Sequence, residues 1–186
     1  GGFSGGDEPD GSGKFITAFF RNKAIKENVS DLLDNRKGLV GGICNGFQAL
    51  IKLGLVPYGK ITDEMSEDMP TLTFNTIARH QSMLVKTRIA SNKSPWLMQT
   101  EVGDVYTVPI SHGEGKFSLP MARENYNIPI TYNYAEYPAN PNGSDYNAAA
   151  ICSADGRHLA MMPHLERAIR PWNWAYYPEN RQDSDE

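Results

Sequence analysis

The run Leu39-Val40-Gly41-Gly42-Ile43, ended by Cys44 and followed by Asn45-Gly46, constrains this chain more than any other stretch. Five apolar residues are too few for a core helix and too uniformly apolar for a half-exposed strand. Such a run reads as a central parallel strand, buried on both faces. Asn45 then opens a helical segment through about Leu53, which Gly54 caps. A strand turning sharply into a helix, with small residues around a nucleophile, is the geometry of a nucleophile elbow. Gly42 and Gly46 are needed because side chains there would meet the neighbouring backbone. The helix start aims N–H groups and its positive dipole end at the thiol, which predicts a lowered thiol pKa. The amide of Asn45 is placed to donate to an oxyanion formed when sulfur attacks a carbonyl. The competing reading is a small buried cysteine at a strand end. It suits Cys152, which follows Ala148-Ala149-Ala150-Ile151 in a strand-like run, better than it suits Cys44.

The rest of the chain alternates helical and strand patterning, which predicts an α/β fold. Phe15, Ile16, Phe19 and Phe20 recur at helical spacing, and Asn22 ends that segment. A second helix is expected over about 23–35, and residues 57–70 read as a loop. Strands are expected from Leu72, over 83–89, over 105–110 and over 128–134. The loop 111–115 follows the third of these positions, and a short helix is expected about 120–127. Asn140-Pro141-Asn142-Gly143-Ser144 is a turn by composition. Residues 146–152 and 158–162 read as strands joined by a hairpin at Ala154-Asp155-Gly156-Arg157. The glycine-rich residues 1–13 read as a loop.

With 186 residues, the chain is expected to be one domain or a large fragment of one. Eighteen basic against 22 acidic residues leave a net charge of -4, which argues against a nucleic-acid or anionic-membrane partner. No apolar run approaches the ~20 residues of a membrane span. Two distant cysteines form neither a disulfide framework nor a metal-ligand pair, so a reducing, cytoplasmic compartment is expected. The start, without Met or a signal-like segment, reads as a piece cut from a longer polypeptide.

A thiolate nucleophile needs a base, and the candidates are His80, His112, His158 and His164. His164 stands out because Glu166 lies two residues on, where an extended chain faces both side chains the same way. Glu166 can then hold one ring nitrogen and leave the other for Cys44. Spacing alone leaves a second reading open, an ion pair of Glu166 with Arg167 or Arg170. The loop 1–6 lacks the spacing and lysine of a phosphate-binding loop and reads better as a second oxyanion donor. The histidines and cysteines have no metal-ligand spacing. The segment Arg170-Pro171-Trp172-Asn173-Trp174-Ala175-Tyr176-Tyr177 reads as a surface that packs on another domain.

Taken together these segments resemble the class I glutamine amidotransferase family and its Cys-His-Glu triad. Within it, the chain is most similar to the glutaminase domain of the phosphoribosylformylglycinamidine synthases. Gly1-Gly2-Phe3-Ser4-Gly5-Gly6-Asp7-Glu8, Gly42–Gln48, His112–Phe117, Asn140–Ser144 and Asp155–Arg167 carry the resemblance, which spans essentially the whole chain. It implies a flavodoxin-like sheet flanked by helices, with the family's N-terminal strand–helix–strand portion missing and the strand before Cys44 left as an edge. It implies that Cys44 attacks the glutamine side-chain amide, that His164 protonates departing ammonia and activates water, and that Glu166 orients His164. The oxyanion would be held by Asn45 and by the Gly2–Phe3 region. Gln48, and His112 and Gly113 in the loop 111–114, would bind the glutamine. This domain would need no cofactor of its own. A synthetase portion of the same polypeptide would use ATP and Mg to convert formylglycinamide ribonucleotide to its amidine with the ammonia. Against this stand an inactive regulatory module of the same fold and a glutaminase serving another acceptor.

Overall fold

The structure, a computed structural model, describes residues 13–174 and 176–177. The loop 1–6 with Gly2, and the acidic end of the tail, lie outside the described residues. Helix α1 (Lys14–Arg21) is followed by α2 (Lys23–Asp34), and the side chain of Asn22 between them accepts the Ala24 N–H. Strand β1 (Val40–Ile43) leads through Cys44 into α3 (Asn45–Leu53) and the short kinked α4 (Leu55–Tyr58). Then come β2 (Thr71–Thr73), β3 (Gln81–Ile89), β4 (Val105–His112), β5 (Lys116–Ser118), β6 (Asn127–Tyr132), β7 (Ala148–Cys152) and β8 (His158–Met161).

Six strands form one sheet in the order β1-β8-β7-β6-β3-β4, and β2 pairs with β5 in a small second sheet. The β1–β8 pair is parallel, with Ile43 opposite Met161; the other pairs are antiparallel. The fold is therefore an α/β sheet flanked by helices, as expected, with mixed pairing. The hairpin β7–β8 is present with Ile151 opposite Ala160. Both strands are buried throughout because apolar material covers both faces. On β8, Ala160 joins a cluster with Phe47, Leu50, Ile51 and Leu53 of α3. Leu159 and Met161 join a second cluster with Val85, Val108, Ile110 and Leu97, as the period of two along a strand requires.

Four expectations need correction. Strand β1 is not central and buried on both faces: it is an edge of the described sheet, as the resemblance implied, with Gly41 exposed and Val40 half-buried. Its apolar run faces β8 on one side, and among the described residues no strand pairs with the other. Strand β3 begins two residues before the expected 83, and β4 runs on through His112, because the ladder between them continues to the pair Gln81–His112. The helix about 120–127 is only a single 3-10 turn, Arg123–Asn125. No helix among the described residues is long and apolar enough to cross a membrane.

Candidate active site

Cys44 has φ 54° and ψ -107°, a left-handed backbone that non-glycine residues seldom adopt. Its N–H donates to the Met161 carbonyl at 2.8 Å, and its carbonyl accepts the Gln48 N–H at 3.0 Å, the first turn of α3. The turn is tight enough that a Cβ on Gly42 would lie 2.8 Å from the Gly46 carbonyl and 2.6 Å from Leu50 Cδ1. Only glycine fits beneath the elbow, as the sequence reading required.

The thiol donates to the Ser111 carbonyl at 3.7 Å, and the residue is 5% exposed. Burial pushes the Cys44 pKa up, and a hydrogen bond from the Asn45 N–H offsets this in part. This corrects the expected lowering. The helix start favours the thiolate, but withdrawal of the sulfur from water weighs more. Burial thus favours the protonated thiol at this position.

The expected base, His164, is paired with Glu166 as the spacing allowed. His164 Nδ1 and Glu166 Oε1 lie 2.6 Å apart, and His164 is 5% exposed while its partner is half-exposed. Of the two readings left open by spacing, the structure selects the His–Glu pair. Glu166 reaches back from a 3-10 turn, Leu165–Arg167, rather than from extended chain. The His164 N–H donates to the Pro109 carbonyl at 2.8 Å. Pro109 and Ser111 are two apart on β4, so their carbonyls point the same way. One holds the backbone of His164 and the other holds the thiol of Cys44. The sheet curls so that Cys44, at the end of edge strand β1, meets β4, the opposite edge.

The loop beyond β4 is fastened from three sides. Gln48 Nε2 donates to the Glu114 carbonyl at 2.8 Å. Asn75, 2% exposed, donates through Nδ2 to the carbonyls of His112 and Arg79, and its Oδ1 accepts from the Gly115 N–H. Ser144 Oγ accepts the Phe117 N–H and contacts the Gly115 carbonyl. Asn142 Oδ1 holds that hydroxyl at 2.7 Å while its amide donates to Tyr132. The turn 140–144 thus supports the loop from below.

His112 does not present its ring to an open site. The ring is 1% exposed, packs where a Cβ on Gly115 would intrude, and pairs through Nδ1 with Asn75 Oδ1 at 3.1 Å. Burial pushes its pKa down to about 4, helped by the charges of His80 and His164. Gly113 is different: among the described residues nothing lies within 4 Å of where its Cβ would be. His158 sits at the far end of β8, opposite Val40. Among the described residues, no group of three His, Cys, Asp or Glu could hold a metal. Sequence reasoning missed Asn75 and Pro109, and placed Ser111 only within the glutamine-binding stretch 111–114. Nothing local marks Asn75 as buried or a proline carbonyl as a backbone hook, since both roles depend on chain brought in from elsewhere.

Residues 1–186 match the family model described as the CobB/CobQ-like glutamine amidotransferase domain. The phosphoribosylformylglycinamidine synthase of Dictyostelium discoideum is 33% identical over 192 residues, which cover 97% of this chain and 14% of that protein. The phosphoribosylformylglycinamidine synthase subunit PurQ of Methanococcus maripaludis is 39% identical over 184 residues, 91% of this chain and 64% of that subunit. The chain therefore spans less than two thirds of the length of either relative. Among solved structures, PurLQS from Thermotoga maritima superimposes with a TM-score of 0.72 at 26% identity, covering 93% of this chain and 69% of that one. A glutamine amidotransferase from the same organism shares the fold, with a TM-score of 0.50 at 17% identity. An elbow cysteine, a His–Glu pair whose histidine is tied to β4, and a match along the whole sequence agree: this chain belongs to the CobB/CobQ-like glutamine amidotransferase domain family.

Proposed function

We propose that this chain hydrolyses glutamine through a γ-glutamyl thioester on Cys44 and delivers the ammonia for conversion of formylglycinamide ribonucleotide to its amidine in purine biosynthesis. The observation that carries this reading is the shared edge of β4, where the Ser111 carbonyl receives the Cys44 thiol and the Pro109 carbonyl receives the His164 amide. His164, held at Nδ1 by Glu166, keeps Nε2 for the proton of Cys44. The sulfur attacks the amide carbon, and the proton taken by His164 passes to the departing ammonia. Water then loses a proton to His164 and attacks the thioester, which releases glutamate and restores the thiol. The Asn45 amide, already directed at the sulfur, is the oxyanion donor on the described side, and Gly2 supplies the second.

Gln48, His112 and Gly113 bind glutamine through the loop they shape: Gly113 by its backbone, Gln48 and His112 by holding the loop in place. The acceptor chemistry belongs to a synthetase portion that uses ATP and Mg. The names of the relatives support a synthetase partner, though not its ATP or Mg, as do Ile169, Trp172 and Tyr176, large apolar side chains exposed by at least 70%. Such residues suit an interdomain contact.

The test is labelling by a diazoketone analogue of glutamine, with the adduct mapped by peptide mass spectrometry. Glutamine-protectable labelling of Cys44, with Cys152 untouched, is the expected result. Equal alkylation of both cysteines, with no protection by glutamine, rules the reading out.

A further inference from the structure

We propose that His80 is a positioning residue for glutamine binding, acting through the hydroxyl of Ser111; this rests on the glutaminase reading. His80 Nε2 and Ser111 Oγ lie 3.0 Å apart. Ser111 is also the residue whose carbonyl receives the Cys44 thiol, so its backbone is part of the site. Successive side chains on a strand face opposite ways. His112 points inward to Asn75, so Ser111 points to the other face, where half-buried Ser111 meets the exposed ring of His80. The register places His80 there: Gln81 is opposite His112 and Ser82 opposite Ser111, so His80 sits just before β3, beside the loop that borders Gly113.

A serine hydroxyl carries one proton and two lone pairs. When the imidazole donates from Nε2, the Ser111 proton is left to donate to a ligand. When Nε2 accepts, that proton is taken, and Ser111 offers a ligand only lone pairs. The tautomer of His80 thus decides whether Ser111 meets an α-carboxylate as a donor or an α-ammonium as an acceptor. No other part of the mechanism uses this ring, and it does not touch Cys44 or His164 in the hydrogen-bond network.

The test compares His80→Ala and His80→Gln with the unaltered protein, each together with its synthetase partner. Glutaminase kinetics are read alongside glutamine binding by calorimetry in a Cys44→Ala background. His80→Ala is expected to raise KM and the dissociation constant about three- to tenfold, the effect of one lost hydrogen bond, with kcat changed less than about twofold. His80→Gln, whose amide reaches the Nε2 position, is expected to recover most of the loss. Ser111→Ala should cost at least as much as His80→Ala, and adding His80→Ala to it should cost little more, because without the hydroxyl the ring has nothing to position. Unchanged binding in His80→Ala overturns the proposal, as does failure of Gln to rescue or a loss confined to kcat. In each of those cases hydrolysis by the unaltered protein leaves the glutaminase reading standing. If the unaltered protein neither binds nor hydrolyses glutamine, both fall.

Discussion

Two residues illustrate how much one side chain can decide. Replacing Glu166 by Gln keeps the size of the His164 partner but removes its charge, so the imidazolium formed during attack loses its counter-ion. A fall in kcat on the order of 100-fold is expected, with KM little changed, measured as ammonia release. Asn75 has no chemistry to perform, yet it bonds His112, Arg79 and Gly115 at once. Asn75→Ala leaves several buried groups without partners, and a loss of about 3 kcal/mol is expected in urea unfolding. Of these residues, Glu166 was legible from its spacing to His164. Asn75 was not, because two of its three partners, His112 and Gly115, lie 37 and 40 residues further along the chain.

At the scale of the element, the strand–elbow–helix unit β1–α3 behaves as the sequence reading required. A Cβ at position 42 has no space between the Gly46 carbonyl and Leu50. Gly42→Ala is expected to cost about 1–3 kcal/mol and to abolish labelling of Cys44, since either the helix or the strand must shift. A melt combined with the diazoketone assay reads both effects. What the element alone could not reveal was the state of its thiol. The dipole of α3 and the Asn45 amide are local and were visible in the sequence; the burial that outweighs them comes from β4 and the loop beyond it. The helix about 120–127 shrank to one 3-10 turn, in which Arg123, Glu124 and Asn125 bury nothing. Without an apolar face to bury, a short helix has little to hold it.

At the scale of the whole molecule, curvature of the sheet assembles the site. Cys44 lies at one edge and Ser111 at the other, 67 residues apart in the chain, and they touch only because the sheet curls. The same enclosure buries His112, whose pKa falls from 6.5 to about 4. The folded protein prefers the neutral ring, so the unfolded chain binds the extra proton between those two pH values. Stability should therefore decline as pH drops from 6.5 towards 4, by on the order of 3 kcal/mol in all, and be insensitive to this group above 6.5. His158, also buried and also lowered, acts in the same direction. Urea midpoints across this range check the trend, and His112→Gln should flatten it. A midpoint that is level from pH 6.5 to 4 in the unaltered protein would show that the ring is not enclosed.

By itself the sequence determined the α/β character, the elbow at Cys44, the β7–β8 hairpin and the spacing that lets Glu166 meet His164. These are local matters: a run of five apolar residues, a pair of flanking glycines, a spacing of two. Tertiary structure alone decided that Pro109 and Ser111 would hold His164 and Cys44, and that burial would raise the Cys44 pKa. Each of these depends on which distant strands close around a residue. Hydrogen-bond partners and loss of water are properties of the packed molecule, and no short stretch of chain contains them.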